Sequence, residues 1–575
     1  MVLTGTLGLI TAHTEQTYLQ KFPYFYDSAE YSFQNARLHR RLAEEGRLSL
    51  AVREWLGNER NPLRTAPLVL FAPQLLAHPV GHLATSLPAL FAFVLLLGFT
   101  ISRRSGSTTD ALVAMGVVCT VPGFFDPTLG LATNWLDLPA SLWIGAAWLC
   151  LLNSDGACEG RWLAAFAAFV SLATLSRYVA AAFALVAAGP VLAFHLARRW
   201  WRERHLRTAV FRPLIIVAGV VAVLAGPTLV VHLRSNAYYY SRLAYGMGGN
   251  SIDTAHALLR VLEGYLLDRS LAVRSLQCAA LAVAVGIHLV AFWWDAERAW
   301  SCLLVSAWLA VGIPLFVVLV LATPADPSLA LYVLPGVLGA MLMPITAGER
   351  AGRLRGGPAL LLAVLAAVVG GRAAVASWRW ASDPLQDWRY NREWVTPSLP
   401  DIGDQKAFDV ALADALSRQG DGLVWSPFFD ETSHLQTLEA FFRSGTLILP
   451  AGPRYFSIHE AYWRGFYPHL SPQEVSDRVY AATCQWVDLA VVLDDPGRTR
   501  TVVSRVNVHV GNPFTRFVAR DIAQRVAADD RWRQVFTIDS RYYGRVAGYR
   551  NRTSLGRGYR SVLKSHGLFS SPIDP

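Results

Sequence analysis

Residues Leu83–Ile101 read LATSLPALFAFVLLLGFTI, with no charged side chain, and are followed after Ser102 by Arg103-Arg104. Wound as a helix, a run of this length covers the ~30 Å of hydrocarbon in a bilayer. Comparable apolar runs lie at Asp110–Phe125, Leu138–Leu152, Trp162–Ser176, Val179–Ala197 and Leu214–Leu233. More follow at Leu276–Trp293, Cys302–Ala322, Leu329–Ile345 and Ala359–Val375, and Val2–Ala12 reads as a shortened first span. Together they predict a polytopic α-helical membrane protein of about eleven spans. Composition agrees: 53% of the 575 residues are hydrophobic and 16% charged, with mean hydropathy +0.31. A soluble chain would carry about 25% charged residues.

The formal net charge is +10, and almost all of the cations are arginine; Lys21, Lys406 and Lys564 are the lysines. Much of this excess sits in short loops between spans, which argues for membrane topology and against nucleic acid as partner. Arg103, Arg104, Arg161, the cluster Arg198–Arg207, Arg298 and Arg350, Arg353 and Arg355 fall on one side. That side is expected to be cytoplasmic. The other side collects a first outer loop over 13–64, Asp126, Asp137, Arg177, a long aromatic and Gly-rich loop over 234–274, and everything after about Trp378. Localisation in a cell (inner or plasma) membrane, multi-pass with the carboxyl-terminal part outside, follows from this assignment. The Arg-heavy, Lys-poor, Ala-rich composition suggests a bacterial source.

Module 1–376 is therefore read as transmembrane and 377–575 as an extracytoplasmic soluble α/β domain. In the latter, strands are expected at Gly422–Trp425, Leu447–Leu449, Leu489–Leu493, Gln534–Ile538 and Gly544–Tyr549. Helical patterns at Lys406–Arg418, Thr432–Arg443, Pro472–Ala482 and Thr515–Ala528 alternate with them. Four of the six cysteines lie in apolar spans, and there is no CxxC spacing, so neither a disulfide framework nor a zinc site is read.

The first outer loop contains Pro23–Leu48, PYFYDSAEYSFQNARLHRRLAEEGRL. Tyr31, Leu38 and Leu42 share a helical face, and Asp27 with Glu30 three residues on reads as a capping box. Asp137, just before Leu138-Pro139, reads either as a helix cap or as a carboxylate placed for chemistry. Arg177 ends one apolar helix and nearly begins the next, so it needs an anion or must snorkel to headgroups. Arg234, Tyr238, Tyr239, Tyr240 and Arg242 line a pocket or form an interfacial belt.

In order and sidedness these pieces resemble the GT-C glycosyltransferases, within them the dolichyl-phosphate-mannose–protein mannosyltransferase and aminoarabinose-transferase-like families. Their D-E-A-x-Y pattern appears as Asp27-Ser28-Ala29-Glu30-Tyr31, followed by Ala36-Arg37 and Gly46-Arg47-Leu48. Their D-x-P appears at Asp137-Leu138-Pro139, their L-x-x-L-(S/T)-(K/R) at Leu172–Arg177, and their Y-x-L-P at Tyr332–Pro335. Ser28 replaces the second acid of the pair, and Leu331 stands where many relatives place a basic residue.

The resemblance implies transfer of a sugar, with inversion, from a polyprenyl-phosphate donor to a hydroxyl of a cell-envelope glycan, lipid or protein on the outer face. Asp27 is then the expected general base, with Glu30 a weaker candidate, since a hydroxyl needs a carboxylate in reach to take its proton. Asp137 is the second carboxylate, and Arg177 faces the donor phosphate. No cofactor is certain, and a divalent metal stays open. The alternatives are a lipid-linked sugar transporter or flippase, which predicts inverted-repeat halves that the sequence lacks, and a non-catalytic GT-C-like assembly subunit, which Ser28 and Leu331 keep in view.

Overall fold

The computed structural model describes residues 62–75, 79–119, 121–125, 136–154, 157–177, 179–202, 207–230, 331–336, 469–493, 513–540 and 544–553. It also describes isolated positions or short groups at 38, 39, 42, 46, 48, 49, 130, 131, 266, 275, 279, 338, 364, 368, 371, 372, 375, 411, 412, 414–416, 418, 419, 424 and 425. Chain contacts group Leu38–Ser382 into one compact unit and Asp383–Pro575 into another.

In the first unit the apolar runs are helices. Helix α1 covers Pro62–Phe71 and passes into a 3-10 turn at Pro73–Leu75, where Pro73 forbids a continuous ladder. Leu68 on α1 buries Leu38, with Leu42 and Leu75 packed beside them, so the Leu38/Leu42 face read from the sequence has its partner. His39 Nδ1 lies 2.8 Å from the Pro73 carbonyl oxygen.

Helix α2 is Pro79–Ser105, and α3 is Thr108–Cys119. The span expected at Asp110–Phe125 is a broken element. Its α-helix is 12 residues long, about 18 Å of rise, and the chain resumes as a 3-10 turn at Pro122–Phe125. Pro122 lacks an N–H and biases Val121 away from the α region. Helices α4 (Asp137–Asn153), α5 (Gly160–Ser176) and α6 (Val179–Arg202) follow where expected, whereas α7 (Arg207–Leu224) begins seven residues before the expected Leu214. Among the described residues, Ala84–Ser105 and Ala180–Ala197 are long and apolar enough to cross a membrane, and Gly160–Ser176 and Phe211–Leu224 are shorter apolar helices. The spans expected at Leu276–Trp293, Cys302–Ala322, Leu329–Ile345 and Ala359–Val375 fall largely outside the described residues.

Helix α4 is the hub. It is buried along nearly its whole length and packs against both α2 and α5. Asn153 ties it to α2 through a 2.7 Å hydrogen bond to Thr100 Oγ1 and returns a second bond to its own Leu149 carbonyl. An amide so buried must spend its donors on protein, because hydrocarbon offers no acceptor. Gly145 sits mid-helix where a Cβ would lie 2.6 Å from Pro335 Cβ and 2.7 Å from the Phe93 ring. Absence of a side chain there lets the segment 331–336 close onto α4.

The second unit contains a four-stranded sheet of order β1-β2-β4-β3, with β1 Val424–Trp425, β2 Leu489–Leu493, β3 Trp532–Ser540 and β4 Gly544–Asn551. Strand β1 is parallel to β2, and the other pairings are antiparallel. Helices α8 (Pro472–Trp486) and α9 (Pro513–Ala528) pack on one another and on the sheet through Val475, Val479, Val518, Ile522 and Val526. A capping box, Ser471 with Glu474, starts α8. The strand expected at Leu447–Leu449 and the helix expected at Thr432–Arg443 lie outside the described residues.

Beside α9, Asp529 accepts from Tyr480 Oη at 2.7 Å and pairs with Arg531. Arg531, and after it Tyr480, holds the Asp529 carboxyl well below the usual carboxylate range, whereas burial pushes the Tyr480 hydroxyl up. A depressed folded-state value stabilises the fold above the unfolded carboxylate value of about 4, and that stabilisation is lost as pH falls through the folded one. Asp529→Asn should therefore flatten the acid limb of this unit's stability, measured as unfolding midpoint against pH below about 4. Gly145→Ala should lower the thermal midpoint of the detergent-solubilised chain, the cost of overpacking being about 1–3 kcal/mol. An unchanged midpoint would place Pro335 away from α4.

Candidate active site

Three sequence-predicted positions, from motifs far apart in the chain, meet at one end of the α4–α5 pair. Asp137 is the first residue of α4, and its side chain is 0% exposed. It is not the cap. The cap position is Leu136, which makes no side-chain bond to the helix. The carboxylate is spent on tertiary partners instead.

Arg177 is the residue after α5, with extended backbone (φ −156°, ψ 124°) and its N–H bonded to the Ala173 carbonyl at 3.0 Å. Its own carbonyl accepts from Ala180 in α6 at 2.9 Å. The chain thus breaks from one helix to the next across Arg177 and Tyr178, and the break carries the guanidinium. Arg177 Nε lies 3.0 Å from Asp137 Oδ1, with 19% of the arginine side chain exposed. Tyr332 Oη donates to the same oxygen at 2.9 Å.

The phenol ring is itself held. Tyr332 is buried and stacks on Phe183 of α6, centroids 4.3 Å apart and planes 6° off parallel. Leu331, where a cation was expected in relatives, is buried and contributes no charge. Phe183 carried no signal in the sequence, because an aromatic in an apolar helix reads equally as lipid-facing. The neighbouring hydroxyls are engaged locally: Ser171, Thr174 and Ser176 each donate to the carbonyl four residues back.

The electrostatics are consistent with the helix termini. Asp137 sits at the positive, amino-terminal end of α4, and Arg177 at the negative, carboxyl-terminal end of α5. Each helix end favours the charge placed there, by about 0.3–1 kcal/mol at an exposed site and more when partly buried. At the far end of the pair, about 25 Å away along α4, stand Arg103, Arg104, Glu159 and Arg161.

Solved structures share this architecture over nearly the whole chain. Crystal structures of ArnT from Cupriavidus metallidurans match it in the apo state (TM-score 0.55, 13% identity, 96% of this chain and 98% of that chain). The same protein bound to undecaprenyl phosphate matches at TM-score 0.54 and 12% identity, over 95% and 97% of the two chains. The fold is that of ArnT, a GT-C glycosyltransferase. No family model matches the chain, and no curated protein sequence matches it significantly. The likeness lies in architecture alone.

Asp27 and Glu30, expected as base and weaker candidate, lie outside the described residues, as do Asp126, Arg234, Tyr238, Tyr239, Tyr240 and Arg242. Among the described residues no group of three or more His, Cys, Asp or Glu is arranged to hold a metal ion.

A carboxylate this deeply buried depends on its cation. Arg177→Met should destabilise the chain by about 3–5 kcal/mol, because it strands the charge of Asp137. Asp137→Leu combined with Arg177→Met should recover most of that loss. A double-mutant cycle of unfolding midpoints in detergent measures the coupling; additive effects would mean the pair is not formed.

Proposed function

We propose that the chain is an integral membrane glycosyltransferase that moves a sugar from a polyprenyl-phosphate donor to a hydroxyl acceptor on the outer face of the membrane. The acceptor class is a cell-envelope glycan, lipid or protein. The observation that carries this reading is the Asp137–Arg177–Tyr332 cluster at one helix end, on a fold shared over nearly the whole length of ArnT. Undecaprenyl phosphate bound to ArnT supports a polyprenyl phosphate as the carrier.

In the proposed reaction the acceptor oxygen attacks the anomeric carbon from the face opposite the phosphate. The new carbon–oxygen bond forms as the bond to the phosphate oxygen breaks, so configuration inverts. Asp27 takes the hydroxyl proton, and the lipid phosphate departs with the bonding pair. Charge grows on that phosphate, and Arg177 is the cation assigned to it. A guanidinium has five donors in a planar fork, enough to address a phosphate as well as Asp137. Asp137 orients the guanidinium and, with Tyr332, fixes the polar wall against which sugar or acceptor hydroxyls align. Arg234, Tyr238, Tyr239, Tyr240 and Arg242 are assigned to the rim of the pocket, and the segment 377–575 to acceptor recognition outside the membrane.

With purified chain, a polyprenyl-phosphate sugar and a hydroxyl acceptor, release of polyprenyl phosphate reports turnover. Asp27→Asn should lower it by about 10²–10⁴-fold while donor binding persists. Normal turnover in that variant rejects the base assignment. Parent protein that binds donor yet never releases the lipid phosphate points to the non-catalytic subunit instead.

A further inference from the structure

At the end of the α4–α5 pair remote from Asp137 lie four arginines and a carboxylate, Glu159, that pairs with two of them. Arg103 and Arg104 close α2, Arg161 opens α5, and Arg212 comes from α7. Glu159 divides its oxygens between two of them: Oε1 to Arg103 at 3.1 Å and Oε2 to Arg161 at 2.8 Å. Arg103 and Arg104 also donate to the Asn153 and Leu152 carbonyls, both at 3.1 Å, so they terminate α4 by satisfying its last acceptors. That accounts for two of the four.

Arg161 and Arg212 close no helix: Arg161 pairs with Glu159 through one oxygen, and Arg212 reaches toward the start of α5. The Arg161 side chain is 77% exposed. The Arg212 guanidinium nitrogen stands 4.0 Å from the point where a Gly160 Cβ would be, which is ordinary contact range of the first turn of α5. The two guanidiniums thus flank an amino-terminal helix turn, where positive charge is already present from the peptide dipoles. Glu159 offsets part of the repulsion between these like charges, and the exposed side of the Arg161 guanidinium leaves room for a second anion.

Beside the cations the surface is apolar. Phe211 and Ile215 flank Arg212 on α7 and are 54% and 69% exposed. Leu95 and Phe99 on α2 are likewise exposed, and Phe99 packs on Trp162 at 5.3 Å. Arg161 lies over the same indole at 5.9 Å. A cationic head, an amphipathic indole and an apolar flank, in that order along the helices, match a phospholipid from phosphate to acyl chain. A free phosphate would use only the first of the three.

We propose that Arg161 and Arg212, with Trp162 beneath them, bind the phosphate headgroup of an anionic phospholipid at the membrane face opposite the candidate active site. This rests on the reading that the chain spans a bilayer, and not on any assignment of catalytic roles. The test is native mass spectrometry of the full chain in detergent, titrated with phosphatidylglycerol, phosphatidylcholine or inorganic phosphate. Phosphatidylglycerol should bind preferentially, and Arg161→Gln with Arg212→Gln should weaken it about thirtyfold, on the order of tenfold per 1.4 kcal/mol at roughly 1 kcal/mol per arginine. Arg161→Lys with Arg212→Lys, which keeps the charge, should retain most of the affinity, and sugar transfer in lipid-free detergent should be unchanged in both variants. Equal retention of phosphatidylcholine, indifference to the glutamine substitutions, or displacement of the lipid by equimolar inorganic phosphate would each overturn the proposal. Loss of turnover in Asp27→Asn, or its absence, leaves these outcomes untouched.

Discussion

The ion pair between Asp137 and Arg177 is the constraint on which the arrangement of the first unit depends. Two charges removed from water demand one another, and each also needs a backbone environment of the right sign. Both demands are met by setting the start of α4 beside the end of α5. The helices must then run antiparallel with their termini in register, which fixes the hairpin that the other helices pack around. Tyr332 adds a long-range donor to the same oxygen and draws its segment against α4, where Gly145 leaves the room. The packing and the polar centre are one feature seen from two sides: Pro335 sits where it does because Tyr332, three residues earlier, is hydrogen-bonded to Asp137.

Much of this was legible in the sequence. Runs such as Leu138–Leu152 and Val179–Ala197 declare helices because nothing else buries so much apolar backbone. Strand β2 was expected at Leu489–Leu493 and is found there, since a fully apolar five-residue run bounded by polar residues has few other places to go. The boundaries slipped where local chemistry intervened: Pro122 cut α3 short, and α8 ran four residues past Ala482 to Trp486. Asp137 and Arg177 were flagged singly, by their awkwardness among apolar neighbours. What a single sequence does not state is that each is the other's partner. The anion expected for Arg177 was sought in a ligand or a headgroup, whereas the chain itself supplies one. Phe183 and Gly145 stayed silent because their roles exist only against Tyr332 and Pro335, which arrive from a distant segment.

The pairing also bears on how the proposed chemistry would be tuned. A guanidinium already committed to a carboxylate is oriented before any donor arrives, so less order is lost on binding. The same commitment moderates its attraction for phosphate. A transferase must release its lipid phosphate product after each turnover, and an unmoderated cation would hold it too long. Sharing Arg177 with Asp137 offers a physical route to that balance, and Tyr332 keeps the carboxylate from following the arginine.

Asp137 and Arg177 are forty positions apart, whereas Tyr332 lies 195 positions beyond Asp137. During biosynthesis the two opposite charges therefore emerge on one short hairpin and can neutralise each other while the later helices are still on the ribosome. If the chain spans a bilayer as read from its sequence, the early hairpin would enter it as a nearly uncharged unit at that end, and the phenol would complete the centre only once the chain has grown past residue 332. Loss of either charge would burden the insertion step as well as the finished protein.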